Sequence, residues 1–396
     1  MQPPRIQSGR ADIGRLINLL RNYPQLSRSE LAAMSLVTPA TIGHQVRDLM
    51  EAGWIKESSS RRGAQVGRPR LGLVVNDEAA YAIVAVIGLT TVIVAMVDFG
   101  GHILIKREIP QSMAAVARGI TVVSQTISEV MAAHALDPVK CAGLGIAIPG
   151  IWDAENETVV FSPNLPEWEG MKVGELFRRS VGIEPIVVEN DADAAAWGEL
   201  WFGTGRDVQD MMYILCDVGI GSGLVINRQL VRGQDNSVGE IGHMWVGASD
   251  STSRCGCGHH GCLEASASLA SLNRYVDAGM SLSGALEKIA EYVGMSLSSI
   301  INLLCPQAVV LGGALLEGNP VLWPLIVQST RSRMLNHLLH KSQLILSSLG
   351  SHAPLLGLAS LVFERQLLAA QGYPPESLSP TRWSHPNSDA LKFFYE

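Results

Sequence analysis

The sequence predicts an α/β protein with a small, basic, helical head and a larger, acidic body of mixed sheets. The 396 residues exceed what one hydrophobic core usually supports, so two or three domains are expected. Residues 1–72 carry 11 Lys and Arg against 5 Asp and Glu, whereas the rest carries 19 against 32. After about residue 78 the apolar spacing changes from helical to short, strand-like runs. A basic head on an acidic body indicates that the head alone meets a polyanion.

The head begins with three predicted helices. The first covers about residues 13–21 and has one apolar face. Ser27 can cap the second helix, and Glu30 completes a capping box three residues later. Thr38 can cap the third helix, and Pro39 suits its first turn. Three short helices of this size, the last one polar on its outer face, predict a helix-turn-helix.

A basic loop between two strand-like segments follows the third helix and predicts a wing. Its tripeptide Gly67-Arg68-Pro69 resembles short arms that lay an arginine into a narrow minor groove. We therefore predict a DNA-binding winged helix-turn-helix over residues 1–76. The alternative is a small helical interaction domain with a solvated basic loop. The predicted DNA contacts are Thr38, Pro39, Thr41, His44, Arg47, Arg61, Arg62 and Arg68.

The body is predicted to be an α/β fold with mixed sheets in two lobes. It opens with three short apolar runs separated by glycine or short turns, as in an antiparallel meander. These runs cover residues 82–87, 92–98 and 103–109. Helices and strands then alternate to about residue 370, with helices expected over residues 263–277 and 320–338 among them. The tail after Gly372 is rich in Pro and Ser and is expected to be loosely held.

Three of the six cysteines, Cys255, Cys257 and Cys262, lie within eight residues. Intervening glycines let a tight loop aim the three sulfurs at one point. The sequence has neither a leader pattern nor an apolar run long enough to cross a bilayer, so we expect a cytoplasmic protein with reduced thiols. That compartment favours a metal over disulfides. Zinc prefers four Cys and His ligands, and His243 is the best candidate for the fourth. A site closed by four protein ligands has no open position for water and therefore predicts a structural zinc ion. Unligated thiols in a glycine loop are the alternative.

Polar side chains also occur where apolar strands stop. Asn190 and Asp191 follow one strand, Glu240 lies in the segment "EIGH", and Glu264 comes directly after the cysteine loop. Carboxylates and amides that converge at strand ends can hold vicinal hydroxyls, because each hydroxyl donates to one oxygen and accepts from another group. Each of these acids taken alone is better explained as a surface charge. Their placement beside the predicted metal loop is the informative part.

These segments together resemble the ROK family of repressors and sugar kinases. "ENDADAAAWGE" is similar to the family's sugar and catalytic segment, "EIGH" to its second sugar segment, and "CGCGHHGCLE" to its zinc loop. The resemblance runs from Ile13 to about Leu368, and the head resembles that of the repressor branch. It implies a two-lobed, actin-like ATPase (ribonuclease H-like) fold, with a sugar bound in the cleft between the lobes.

The resemblance also implies boundaries and roles. Residues 77–190 would form the small lobe, completed by a helix at about 353–372, residues 191–352 the large lobe, and residues 373–396 a tail. In the kinases the acid matching Asp191 is the general base. His243 would place one ring nitrogen on zinc and turn the other toward a sugar hydroxyl. The residues implied to contact the sugar are Asn164, Asn190, Asp191, Glu240, His243 and Glu264.

The nucleotide side departs from the kinase pattern. Kinases of the family carry D-x-G-x-T on the first hairpin, and here Val86 replaces the acid that holds magnesium. In the later phosphate loop Asp217 and Val218 replace glycine and threonine, and a carboxylate repels phosphate. We therefore predict that the chain is no enzyme, and that residual sugar kinase activity is the alternative.

Three functional hypotheses follow. The first is a transcriptional repressor of carbohydrate-use genes that binds operator DNA as a homodimer or homotetramer and responds to a sugar or sugar phosphate. The second is a sugar kinase with an added DNA-binding domain. The third is a repressor controlled by a protein partner. The sequence identifies neither the sugar nor the operator.

Overall fold

The computed structural model describes residues 13–35, 37–59, 71–133, 137–153, 157–247 and 254–369. Three predicted DNA contacts, Arg61, Arg62 and Arg68, lie outside the described residues, as does the predicted tail. Among the helices of the described ranges, none combines the length and the apolar character that crossing a bilayer requires.

The head is a winged helix-turn-helix. Glu30 Oε2 accepts a hydrogen bond from Ser27 N–H (2.8 Å), and Ser27 Oγ accepts one from Glu30 N–H (3.3 Å), which confirms the capping box. Thr38 Oγ1 accepts from Thr41 N–H (3.3 Å), which confirms the third cap. Gly53 ends that helix with a φ of +78°. The elements are α1 (Ile13–Asn22), α2 (Arg28–Ser35), α3 (Pro39–Glu51), and the antiparallel pair β1 (Ile55–Ser59) and β2 (Leu71–Val75).

The first half of the body is a five-stranded mixed sheet. Its order is β5-β4-β3-β6-β9, in which β3, β6 and β9 are parallel and the predicted meander supplies β3, β4 and β5. The strands are β3 (Tyr81–Ile87), β4 (Thr91–Asp98), β5 (Ile103–Pro110), β6 (Cys141–Ile148) and β9 (Ile186–Asn190), with a small pair β7 (Ile151–Asp153) and β8 (Thr158–Phe161). The helices are α4 (Val116–Ala133) and α5 (Val173–Val181).

The second half is another five-stranded sheet, in the order β12-β11-β10-β13-β14. The continuous helix expected over 263–277 is two helices, because Ser268 is extended and caps the second one through Ser271 N–H (3.2 Å). The helix expected over 320–338 ends at Arg331. The helices are α6 (Asp191–Phe202), α7 (Leu263–Ala267), α8 (Leu269–Asp277), α9 (Leu282–Leu304), α10 (Ala314–Gly318), α11 (Leu322–Arg331) and α12 (Ala353–Ala369). The strands are β10 (Met211–Cys216), β11 (Ile220–Ile226), β12 (Gln229–Leu230), β13 (Ala308–Gly312) and β14 (Gln343–Leu346).

Helices α6 and α12 pack against each other and link the two sheets, since α6 also packs on β10 and β11 and α12 on β3 and β6. Glycines permit this close crossing. A Cβ atom on Gly357 would lie 1.7 Å from the carbonyl oxygen of Ala194, and one on Gly198 would lie 2.1 Å from that of Ala353. Helix α6 is buried from Ala192 to its last residue, including the acids Asp193 and Glu199. The domain boundaries stay a prediction.

Candidate ligand cleft and metal centre

The six predicted sugar-contacting residues line one cleft. They come from distant parts of the chain, and the cleft has a volume of about 460 Å³, within the usual range for small-molecule sites. Gly88 of the first hairpin and Gly313 after β13 line it too. The six are Asn164, Asn190, Asp191, Glu240, His243 and Glu264.

Asn190 fixes the start of α6. Its Oδ1 accepts hydrogen bonds from the backbone N–H groups of Ala192 (2.8 Å) and Asp193 (3.0 Å), as an N-cap residue does. Its Nδ2 donates to the carbonyl oxygen of Gly150 (3.0 Å). Both ends of the amide are therefore engaged, so Asn190 holds Asp191 at the first position of the helix. Asn190 is the last residue of β9 and Asp191 is the first of α6, so both lie at the end of the strand that borders the cleft.

Burial raises the pKa of Asp191 from 3.8 to about 6. The carboxylates of Asp217 and Glu240 raise this pKa further, whereas the backbone N–H of Ala192 lowers it by hydrogen bonding. A carboxylate that titrates near neutrality is suited to accept a proton or a strong hydrogen bond from a bound hydroxyl.

We predict that Asp191→Asn stabilises the fold at pH 7.5 by about 2 kcal/mol. The pKa of Asp191 is higher in the folded state than in the unfolded state, so folding is favoured more when this carboxyl is protonated. The free energy of unfolding therefore falls as the pH rises from about 4 to about 6. Asparagine keeps the acceptor for Ala192 N–H without the charge. Denaturant unfolding at pH 4 and pH 7.5 measures the difference, and Glu129→Gln, an exposed change on α4, is the control. Equal stability of wild type and variant at pH 7.5 would contradict the burial argument.

His243 connects the cleft to the cysteine loop. Its Nδ1 lies 3.5 Å from Cys255 Sγ, and its Nε2 lies 3.7 Å from Glu240 Oε2. The two ring nitrogens thus face different groups, one in the cysteine loop and one in the cleft. Glu264 follows the loop and its Oε2 accepts from Ile220 N–H (3.0 Å), which ties the loop to β11.

The cysteine loop brings four donor atoms together. One ligand atom each from His243, Cys255, Cys257 and Cys262 lies within 4.8 Å of the others. The Sγ atoms of Cys257 and Cys262 are 3.7 Å apart. Two sulfurs bonded to one tetrahedral zinc ion at about 2.3 Å would lie about 3.8 Å apart. The donor set therefore fits a metal ion. His259 Nδ1 also lies 3.6 Å from Cys257 Sγ but is outside this four-donor group.

One end of the cleft carries the two residues that the resemblance sets against the kinase pattern, Val86 and Asp217. Val86 lines it where the kinases carry an acid. Asp217 Oδ1 accepts from Val218 N–H (2.7 Å), so the carboxylate occupies a backbone donor of the glycine loop. Burial raises the pKa of Asp217, while hydrogen bonds from the N–H groups of Val218 and Ala314 lower it.

The predicted DNA-contacting residues that the structure describes lie on α3 and its cap. The side chains of Thr38, Pro39, His44 and Arg47 are exposed. Thr41 is half-buried, and its hydroxyl lies 2.9 Å from that of Thr38. The opposite side of α3 packs into the head through residues 42, 46 and 49.

Comparison with known proteins gives the family. The sequence profile described as ROK family matches residues 83–365. The chain belongs to the ROK family. A second profile, described as winged helix-turn-helix DNA-binding, matches residues 13–56 of this ROK chain.

Its relatives include both repressors and kinases. The chain is 29% identical over 371 residues to a xylose repressor of Bacillus spizizenii, covering 89% of this chain and 94% of that one. It is 30% identical over 314 residues to a glucokinase of Streptomyces coelicolor, covering 70% of this chain and 96% of that one. The solved ROK family glucokinase of Streptomyces griseus, in complex with glucose and AMPPNP, has a TM-score of 0.64 at 27% identity and covers 71% of this chain and 99% of that one. A ROK family transcriptional regulator shares the fold over 94% of this chain, with a TM-score of 0.71 and 23% identity.

A buried ion pair behind the cleft of this ROK chain was missed by the sequence analysis. Arg232 donates to both carboxylate oxygens of Glu189 (2.8 and 2.5 Å), and its Nη1 lies 3.7 Å from Asp193 Oδ2. All three side chains are buried. The ion pair joins Glu189, which precedes Asn190, to Arg232 in the loop after β12. The available signal was Glu189 at the end of an apolar strand and Asp193 beside a run of alanines.

The head of this ROK chain meets its body at another arginine, Arg21 near the end of α1, whose guanidinium nitrogens Nε and Nη1 are buried. Its guanidinium lies over the rings of Phe99 (4.7 Å), Phe202 (4.9 Å) and Trp201 (5.4 Å). It also donates a hydrogen bond to the carbonyl oxygen of Phe99. Burial lowers its pKa from 12.5 to about 9, while the carboxylate of Asp77 is the first of two that raise it.

This aromatic cage lies at the far end of α6. Trp201 and Phe202 are the last two residues of α6, and Asn190 and Asp191 stand at its start in the cleft. A helix of 12 residues is about 18 Å long. Helix α6 therefore extends from the ligand cleft to the side chain that docks the head.

Proposed function

We propose that the chain is a sugar-responsive regulator of transcription that binds operator DNA through its head and changes DNA affinity when a sugar occupies the cleft. The observation that carries this proposal is α6 itself, which begins at the cleft residues and ends at the cage that holds Arg21. The similarity to the xylose repressor supports it, because it spans 89% of the chain.

Sugar binding would affect the head by changing the populations of two or more arrangements of head and body. A sugar that prefers one arrangement by a few kcal/mol shifts the equilibrium toward it. Movement at Asp191 displaces α6 and the aromatic rings around Arg21, and the head turns relative to the body. We expect a homodimer or homotetramer, whose paired heads must match two half-sites on DNA. A changed spacing between the heads lowers the affinity for that operator.

The metal ion that His243, Cys255, Cys257 and Cys262 would hold is proposed to be zinc with a structural role. Four protein ligands close the coordination sphere, so the site has no open position for substrate. The ion would fix the loop and the orientation of the His243 ring. That ring would then present its second nitrogen to the cleft, and loss of the ion would loosen sugar binding.

Phosphoryl transfer is proposed to be absent. It depends on positioning and on neutralising charge on the transferred group. Val86 supplies no ligand for magnesium, and Asp217 adds a negative charge beside the glycine loop. The retained Asp191 would serve as a sugar contact.

The alternative function is a sugar kinase, which the retained Asp191 and the similarity to glucokinases favour. An ATP-dependent phosphorylation assay against hexoses and amino sugars separates the two functions. We expect no phosphorylated sugar above a no-enzyme control. Turnover that Asp191→Asn abolishes would defeat the proposal of a non-catalytic regulator.

We predict that Arg47→Ala weakens binding to the specific operator by about tenfold or more, because its exposed guanidinium on α3 is placed to contact a base or phosphate. Fluorescence anisotropy with an operator selected from genomic fragments measures the effect. Arg179→Ala, which removes an exposed arginine from α5 of the body, should leave affinity unchanged. Equal affinities of wild type and Arg47→Ala would show that α3 is not the reading helix.

A further inference from the structure

We propose that the ligand of the cleft is an unphosphorylated sugar, and that the carboxylates of the cleft exclude sugar phosphates. This inference rests on the proposed function, since it names the class of effector that the cleft accepts. Three observations lead to it: the charges of the side chains that line the cleft, the partners of its backbone N–H groups, and the placement of a buried arginine beside it.

The cleft is lined by acids. Seven of its described lining residues are Asp or Glu, none is Lys or Arg, and His243 is the one described residue there that can become a cation. Each carboxylate repels a phosphate, and the repulsion is strong in a partly desolvated cleft. The acids are Glu108, Asp191, Asp193, Asp217, Glu240, Glu264 and Glu317.

Backbone N–H groups that could hold phosphate oxygens already have carboxylate partners. Proteins bind phosphate through glycine-loop N–H groups and helix N-termini. Here Asp217 accepts from Val218 N–H (2.7 Å), and Glu264 accepts from Ile220 N–H (3.0 Å). Glu317 accepts from Ser351 N–H (2.6 Å) across the same end of the cleft. A phosphate would have to displace a carboxylate at each of these positions.

The first backbone N–H groups of α6 also have side-chain acceptors as partners. Asn190 Oδ1 accepts from the N–H groups of Ala192 and Asp193, and Asp191 Oδ1 also accepts from Ala192 N–H (2.9 Å). The helix therefore offers its first donors to its own side chains and presents a carboxylate to the cleft. A neutral hydroxyl can donate to Asp191, whereas a phosphate group meets a like charge there.

Arg232 is a buried arginine that lies 3.7 Å from one of these acids, Asp193, and it is already engaged. Both of its terminal nitrogens bind Glu189, and it is not among the residues that line the cleft. Asp193 does line the cleft, and its Oδ1 is buried without a hydrogen-bond partner. A buried acceptor without a partner is satisfied by a hydroxyl donor from a ligand and not by a phosphate oxygen.

The test is calorimetry of the full-length protein with glucose, xylose, mannose, glucosamine and N-acetylglucosamine, and with the 6-phosphates of the hexoses and the 5-phosphate of xylose, each with and without magnesium chloride. We expect one unphosphorylated sugar to bind, and its phosphate to bind at least about tenfold more weakly. A phosphate that binds as tightly as its parent sugar, with or without magnesium, would overturn the inference and leave the proposed function standing. No binding by any compound would overturn the proposed function, and the inference with it.

A charge-removing variant tests the cause. Asp217→Asn with Glu317→Gln keeps the acceptors for Val218 and Ser351 and removes two charges. The ratio of sugar affinity to sugar phosphate affinity should fall about tenfold or more, whereas Glu129→Gln on α4 should leave it unchanged. An unchanged ratio in the double variant would overturn the role given to the carboxylates. Glu317→Gln is measured alone as well, so that a double variant that fails to fold does not remove the readout.

Discussion

We predict that Cys257→Ser releases the proposed metal ion and weakens sugar binding by about tenfold or more. A serine hydroxyl is a poor zinc ligand, and the three remaining donors leave the tetrahedron open. His243 then loses the partner that orients its ring, because its Nδ1 faces Cys255 within the same four-donor group. A changed orientation of the His243 ring alters the cleft, because the other ring nitrogen lies 3.7 Å from Glu240 Oε2.

Elemental analysis gives the metal content per chain, and calorimetry gives the sugar affinity. Cys305→Ser is the matched control, because that thiol is exposed and lies outside the four-donor group. It should keep one metal ion and full sugar affinity. Native protein that contains no metal, or a Cys257→Ser variant that binds sugar as tightly as wild type, would contradict the role given to the loop.

Arg21→Met keeps the head folded and bound to DNA but abolishes the effect of sugar on DNA affinity. Nε and Nη1 of Arg21 are buried without hydrogen-bond partners, so the native residue carries an imperfectly paired buried charge. Replacing such a group with an apolar side chain of similar length is commonly neutral or stabilising. Methionine still fills the space between Phe99, Trp201 and Phe202, but it lacks the cationic contacts that tie the head to α6.

Two measurements separate this role from a merely structural one. Denaturant unfolding should show a free energy of unfolding at least as high as that of wild type. Operator affinity measured with and without sugar should show no difference in the variant. Arg331→Met, which replaces an exposed arginine at the end of α11, should keep the sugar response. A less stable Arg21→Met protein that still responds to sugar would show that the cage holds the fold together and carries no signal.

Local spacing allowed the sequence to indicate which residues would lie together in the cleft and in the cysteine loop. Asn190 and Asp191 end up in the cleft because they follow a buried strand, and the cysteines converge because glycines permit the loop. Both caps of the head were predictable, since a cap needs a partner only three residues away. Such features depend on neighbours along the chain.

The missed features depend on residues far apart in sequence. Arg21 meets Phe99 and Trp201, and Arg232 meets Glu189, only after the sheets have assembled. The break at Ser268 was missed because the apolar pattern continues across it, while the serine hydroxyl caps a new helix locally. A single sequence shows which side chains are charged but does not show which of them the fold buries.

The most direct test of the account is the affinity of the full-length protein for its operator, measured by fluorescence anisotropy with and without the sugar that binds the cleft. We predict that saturating sugar changes the dissociation constant at least about tenfold, that Mg-ATP does not alter this change, and that no phosphorylated sugar accumulates. An operator affinity that is indifferent to every sugar that binds, or one that changes only when ATP is consumed, would contradict the account.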